Sequence, residues 1–422
     1  MVQNIFVKCT ECDKIFRLRW QVGYQQVILK TYCPNCKNMF EVVLKIDDSS
    51  DFYNVNQVNY DKRVADYLIE LSTEFFTKKI QKDYDQLENQ DFLTPFMRNM
   101  DIDRNKISDI LSFAHDIDKV RTKIETIFSM QDNESVYLKQ NLQKSNFFKN
   151  MFSETKINYS FDTNLDILIC VHQYINNMLF RTYPPKTIKN MTEEINRQVI
   201  NLARCKPYSI NKFLNILCDN DIFKQVNKKF SGIVIDILNN YLNLVPMYIR
   251  DDLSTVDLQK FGINTIRIDE VLNIYKKCYE FIGEYCLLPI GLNNIKERND
   301  CDSFKNNTNN IYTFLNSITS KYNRLNNYLI TGEKFSSLFD SSLNNIIRNS
   351  EAHFDYSFDI ISQIVSFRDK NKKKDLYLIE VARELLNIYQ KTVYLWEINY
   401  CLHKLYLINI KKETLSITVE QS

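Results

Sequence analysis

The spacing of apolar residues changes twice along the chain. Between residues 4 and 46, KIFRLRW (14–20), QQVILKTY (25–32) and MFEVVLKI (39–46) alternate apolar and polar positions, the period of small half-buried strands. IDDSSDFYNVNQ (46–57) is polar and rich in turn formers, and it reads as a linker. From about residue 60 the spacing becomes i, i+3, i+4, i+7. RVADYLIELSTEFFTKKI (63–80), NKISDILSFAHDIDKVRTKIETIF (105–128), DILICVHQYINNMLF (166–180) and SGIVIDILNNYLNLV (231–245) predict one-sided helices, punctuated by Pro184, Pro185 and Pro207.

Residues 245–267 are weakly periodic and contain Pro246 and Gly262, which suggests a second boundary. Beyond it, 269–288, 308–325 and 333–353 read as helices. QIVSF and LYLIEV, flanking a charged turn, then predict a β-hairpin, and a long helix from Val381 to Ile408 closes the pattern before a frayed last dozen residues. The expected fold class is mainly α, with a small β module at 1–47, a helical middle region at 48–245 and a helical domain at 246–422.

Composition narrows this picture. Six glycines and seven prolines in 422 residues are too few for the many turns of a large β or α/β protein. The glycines are scattered, so no phosphate-cradling glycine loop exists, which excludes a P-loop or dinucleotide-binding enzyme. A formal net charge of +2 produces no global field, so any nucleic-acid surface must be local. The N-terminal sequence lacks the pattern of a signal peptide, and no apolar run approaches a membrane span. Seven of the eleven cysteines are scattered through helical patterns, as a reducing compartment allows, so the chain reads as cytoplasmic with no membrane partner.

The other four cysteines form Cys9-x2-Cys12 and Cys33-x2-Cys36, twenty residues apart. Four thiolates satisfy one tetrahedral zinc ion, leave no position for water, and so make a structural site. A module this small has too little core to fold alone, and metal binding would supply its folding energy. It resembles a zinc ribbon, although Lys14 and Lys37-Asn38 stand where such knuckles often carry glycine. Lys14, Arg17, Arg19 and Lys30 mix with Trp20 and Tyr24, which suits either a nucleic-acid reader or a solvated face.

Of the four histidines, His115, His172 and His403 sit inside amphipathic patterns, as packed or surface helical residues do. His353 ends the sequence Arg348-Asn349-Ser350-Glu351-Ala352-His353. On a helix Asn349 lies beneath His353, and Arg348 lies about 140° round, within reach of a long side chain. An imidazole can move the protons of a 2′-hydroxyl and a leaving 5′-oxygen, a guanidinium can clamp the scissile phosphate, and Asn349 can orient either partner. RNA carries its own nucleophile, so this chemistry needs no metal. A two-fold dimer along this helix would supply a second histidine.

This motif, Phe354-Asp355-Tyr356 leading into the hairpin, and the closing helix VARELLNIYQKTVYL together resemble the C-terminal part of a HEPN domain. That resemblance implies a helical bundle with an inserted β-hairpin. It further implies a metal-independent, homodimeric endoribonuclease of the phage-defence (abortive infection) or toxin type, held in check by a phage or antitoxin trigger protein. Arg348 and His353 carry over as catalytic and Asn349 as supporting. Asp355 occupies the position at which some members carry a modifiable tyrosine, so that form of silencing is not expected. Arg368, Lys370, Lys372, Lys373 and Lys374 form the densest basic run, and they would contact the RNA backbone. The alternative is a non-catalytic RNA- or protein-binding adaptor that uses the bundle for dimerisation.

Overall fold

A computed structural model describes residues 2–21, 23, 26–45, 49–59, 65–82, 94–99, 101–132, 137–144, 157–159, 162–179, 182, 185–250, 252–304, 310–316, 335, 343–415 and 417–419. The described chain is mainly helical, with small sheets near the N-terminus. Among the described residues no helix is long and apolar enough to cross a membrane. Two compact units are assembled from separated segments. The first holds 1–118, 237–276 and 344–386, and the second holds 119–236, 277–343 and 387–422. The first unit therefore draws on all three blocks of the sequence, and the second on the last two.

In the first unit the predicted alternation forms two small sheets. Strands β1 (Val2–Cys9), β2 (Ile15–Gln21), β3 (Val27–Tyr32), β4 (Met39–Leu44), β5 (Asp51–Tyr53), β6 (Val55–Gln57), β7 (Tyr67–Leu71), β8 (Thr77–Lys78) and β9 (Gln81–Lys82) follow in chain order. One sheet runs β6-β1-β2-β7-β9 and the other β3-β4-β5. Inward residues alternate as the period requires: Val27 and Leu29 on β3, Phe40, Val42 and Leu44 on β4. They share a core with Phe16, Leu18 and Trp20 of β2.

Two expectations fail here. Residues 46–57 are not merely a linker, because β5 pairs with β4 and β6 pairs with β1. Nor is 63–80 a helix. YLIEL forms β7, parallel to β2 from Phe16↔Tyr67 to Trp20↔Leu71. A short apolar run fits a buried strand as well as a helix turn, and tertiary pairing decides between them. Here Tyr67 stacks on Phe16 at 5.5 Å, and Ile69 and Leu71 join the core.

The same unit binds in residues from far along the chain. Ile360 belongs to the ribbon's core and Phe358 packs against it. The buried Gln363 amide donates to Asn264 Oδ1 at 2.7 Å, and Asn264 donates to the carbonyls of Glu70 and Lys78 at 2.8 and 2.9 Å. Lys79 donates to the Ser362 carbonyl at 2.5 Å and lies 4.0 Å from the centre of the Tyr377 ring. Burial lowers its ammonium to about 8. Gly262 lets the Gln363 amide approach, since a Cβ there would meet Gln363 Oε1 at 2.1 Å and displace it from its bonds. A hairpin does form, but Ile364–Asp369 pairs with the charged segment Lys372–Tyr377 rather than with LYLIEV, whose last four residues open the helix Leu378–Asn409, and Tyr356–Asp359 adds a third strand. Pro246 lies within the helix Tyr241–Ile249, so the weak periodicity near 245 marks no break at that residue.

The second unit is helical. Pro185 and Pro207 open the helices Pro185–Cys205 and Pro207–Asp219, a place where a missing N–H costs nothing. Phe230 stacks on Trp396 at 4.7 Å, and the buried His172 imidazole lies flat on Tyr400 at 3.4 Å, 2.8 Å from Glu397. His403 stacks on Phe223 at 4.7 Å, and burial pushes its imidazole down to about 4. The C-terminal residues do not simply fray, because Ile417–Val419 pairs with Ile157–Tyr159. The reading of 308–325 and 333–353 as helices is met at Ile311–Asn316 and Asn345–Ala352, and most of the remainder lies outside the described residues.

Candidate functional site

The four N-terminal cysteines come together at the ends of the hairpins β1-β2 and β3-β4. Each knuckle closes in the same way. The Cys9 N–H donates to the Lys14 carbonyl at 2.9 Å, and the Cys33 N–H donates to the Asn38 carbonyl at 2.8 Å. Returning bonds run from Asp13 N–H to Cys9 and from Lys37 N–H to Cys33. Asp13 (φ 59°) and Lys37 (φ 63°) are left-handed, so the glycine-like positions are Asp13 and Lys37 rather than Lys14. The Lys8–Asp13 ion pair, at 2.7 Å, lies beside the first of them.

Cys9 and Cys36 Sγ lie 3.7 Å apart, Cys12 and Cys33 Sγ 3.5 Å, and all four sulfurs fall within 4.8 Å of one another. Zinc–sulfur bonds of ~2.3 Å imply tetrahedral edges of ~3.8 Å, so the cluster has the dimensions of a metal site. Burial raises the Cys33 thiol to about 12. Burial works the same way on Cys12, but the Lys14 N–H and the Asn35 side chain outweigh it and leave the thiol at about 7. Asn54, also left-handed, fastens the two knuckles. Its carbonyl accepts from Thr10 N–H and Oγ1 at 3.3 and 3.1 Å, and its amide donates to the Met39 carbonyl at 2.8 Å. Nothing in the spacing of cysteines pointed to this strap.

The basic and aromatic residues of the ribbon serve the fold. Trp20 and Arg17 are buried. Arg19 pairs with Glu70 at 3.1 Å, Lys14 with Asp66 at 2.7 Å and Lys30 with Glu41 at 3.1 Å. Tyr24 lies outside the described residues.

The Arg-Asn motif sits on the helix Asn345–Ala352, whose N-cap Asn344 accepts from Ile346 N–H at 3.2 Å. His353 is the C-cap, with its N–H on the Asn349 carbonyl at 3.0 Å. Its side chain is exposed and has no hydrogen-bond partner among the described residues. Phe354 follows in the left-handed region (φ 54°) with 87% of its surface exposed. Asn349 does not reach the imidazole. Its amide donates to Asp369 at 2.8 Å, and its Oδ1 accepts from Arg348 at 3.2 Å. Next to it, the buried Ser350 hydroxyl donates to the Arg368 carbonyl at 2.6 Å, and the Arg368 N–H donates to the Asp355 carbonyl at 3.0 Å.

The motif helix and the hairpin are thus joined from both sides. The side chains of Arg348, Asn349 and Asp369 form one group, with His353 one helical turn from Asn349 and Arg368 joined through its backbone. Arg368, Lys370, Lys372 and Lys373 are exposed and Lys374 is half-buried, while Lys373 pairs with Asp375 at 2.9 Å. Sequence reasoning missed Asp369, which reads as one more charge in a basic turn. Its place opposite the motif follows only from the strand register. A search for likeness found no matching protein-family model, curated protein or solved structure.

Proposed function

We propose that the chain is an endoribonuclease of the phage-defence or toxin type, which cuts RNA through attack of its own 2′-hydroxyl and uses no catalytic metal. The observation that carries the reading is the group built by the motif helix and the hairpin. A cation held by a second side chain, Arg348 on Asn349, lies on the helix that ends in the exposed His353 and that is bonded to the strand leading into the exposed basic turn. In this reading Arg348 clamps the phosphate and His353 moves the proton. Asn349 is a positioning residue, since it holds Arg348 against Asp369. Exposed Arg368, Lys370, Lys372 and Lys373, with half-buried Lys374, add salt-sensitive contacts to the RNA backbone.

The order of motif helix, three-stranded sheet and long helix Leu378–Asn409 is what a HEPN-like bundle with an inserted hairpin would contain. A homodimer that set two motif helices face to face would pair the histidines as acid and base. The four cysteines would hold one structural zinc ion per chain in a closed site. Such a nuclease works in the cytoplasm and needs a restraining or triggering partner.

The test is incubation of the purified full chain with total RNA, in zinc-replete buffer and in chelator, beside Arg348→Ala and His353→Ala. Wild type should cut and leave 2′,3′-cyclic phosphate ends, and His353→Ala should be roughly a hundredfold slower. The His353 imidazole, which has no hydrogen-bond partner among the described residues to orient it, favours a second reading, a binding adaptor. Tight RNA binding with no cutting, in the presence of any trigger that co-purifies, would select it.

A further inference from the structure

A cavity of about 310 Å³ lies in the first unit, lined by ribbon strands β3 and β4, by the start of the helix Ile268–Tyr285, and by the strand Tyr356–Asp359. Its size is that of a small-molecule pocket. Tyr32 and Met39 are cross-strand partners here and leave 47% and 42% of their surfaces exposed. Tyr356 and Phe358 supply further aromatic lining. Phe358 packs against the ribbon core and the Tyr356 ring lies tilted 6.4 Å from that of Phe367, while the Tyr32 ring stays largely exposed beside them.

The charges at the cavity are already matched. Lys30 pairs with Glu41 at 3.1 Å, and Arg267 pairs with Asp269 and with Glu270. A phosphate would have to break these pairs, whereas a flat, uncharged ring with a polar edge needs only the aromatic faces and the edge groups of the lining. Among the components of RNA that describes a nucleobase, for which stacking on tyrosine is the general mode of capture. Tyr356 follows His353 by three residues, so the backbone between them spans at most ~11 Å.

From this placement we infer that the cavity holds the base of a nucleotide adjoining the phosphate at Arg348 and His353, and that the ribbon thereby forms part of the substrate site. The inference rests on the ribonuclease reading. It assigns the four-cysteine module a task beyond its own fold: β3 and β4 carry Tyr32 and Met39 to the cavity only while the knuckles hold the hairpin β3-β4 in place.

Binding and cutting are measured separately. A 2′-O-methyl RNA hexamer of mixed sequence cannot be cut by 2′-hydroxyl attack. It is titrated into the zinc-loaded full chain and into Tyr32→Leu, Tyr356→Leu and Tyr356→Phe. The leucine variants should bind roughly tenfold more weakly, and Tyr356→Phe, which keeps the stacking face, should bind like wild type. Photocrosslinking of wild type to the same hexamer carrying thiouridine should place adducts on peptides that contain Tyr32 or Tyr356. This arm needs no variant to fold. Leucine variants that fold and bind like wild type, or adducts confined to other peptides, would overturn the cavity. Wild type that binds the hexamer through these tyrosines but leaves unmodified RNA whole would keep the cavity and overturn the nuclease. Unmodified RNA cut by a wild type whose adducts all lie elsewhere would do the reverse.

Discussion

Both units bury charge and rings: Arg17, Glu70, Glu74 and Lys79 with Phe16 and Trp20 in the first, Asp166, Lys391 and Glu397 with Phe213, Phe230, Tyr279 and Tyr285 in the second. The two interiors depend on different things. Glu70 accepts from Arg19 and from Arg98, directional contacts 51 and 28 positions apart, and from the nearby Lys78 N–H. Stacked rings tolerate small shifts, but such polar contacts do not. The first unit is therefore an assembly of small sheets pinned by individual side chains and by the cysteine cluster, and the second is a set of helices joined by stacked rings and by the buried pair His172–Glu397.

That contrast breaks most sharply at the metal site. Cys33→Ser should remove most of the metal-linked folding energy, on the order of 10 kcal/mol. Limited proteolysis of this variant should cut within residues 1–82 and spare the helix Ile222–Asn239. Next comes the buried carboxylate. Glu70→Ala removes the buried carboxylate that accepts from Arg19 and Arg98 and should cost about 3–5 kcal/mol in denaturant unfolding. In the second unit, Glu413 accepts from Leu165 N–H at 2.8 Å at the start of the helix Asn164–Leu179, and Glu413→Ala should cost about 1 kcal/mol.

The second unit should instead respond to acid. Burial lowers His403 from 6.5 to about 4, so the folded state binds its proton less readily than the unfolded chain. The stability from keeping it neutral is complete above pH ~6.5 and is lost as pH falls through 4. By pH 5 the loss is about 2 kcal/mol, and His403→Phe should flatten this limb of the stability profile. An effect as small as that at Glu413 is expected at the motif. Ser350→Ala removes one hydrogen bond to the Arg368 carbonyl and should cost about 1 kcal/mol while loosening the hairpin beside Arg348.

What could be read from the sequence divides along the same line. The knuckles, the alternating strands, the hairpin and most long helices are local patterns, and each spans fewer than about twenty residues. β7 was missed because YLIEL is too short for periodicity to separate strand from helix, and β2 alone decides. Asn54, Asn264, Gln363 and Asp369 were missed for another reason. Each is a single polar residue whose partner comes from a different segment, up to 194 positions away in the bond from Asn264 to Glu70, and no spacing rule spans such a gap. Arg348, Asn349 and His353 stood out by residue type, but the partner of Asn349 is visible only once helix and hairpin are placed.

The central claim is that the cysteine cluster and the motif hairpin belong to one cooperative unit, joined through Gln363, Asn264 and Lys79. Hydrogen exchange of the full chain, zinc-loaded and then chelated, tests it most directly. Amides of residues 2–44, 67–71 and 364–377 should lose protection together on chelation, while those of 222–235 and 387–409 keep theirs. Residues 364–377 that stay protected after the ribbon strands have opened would contradict it.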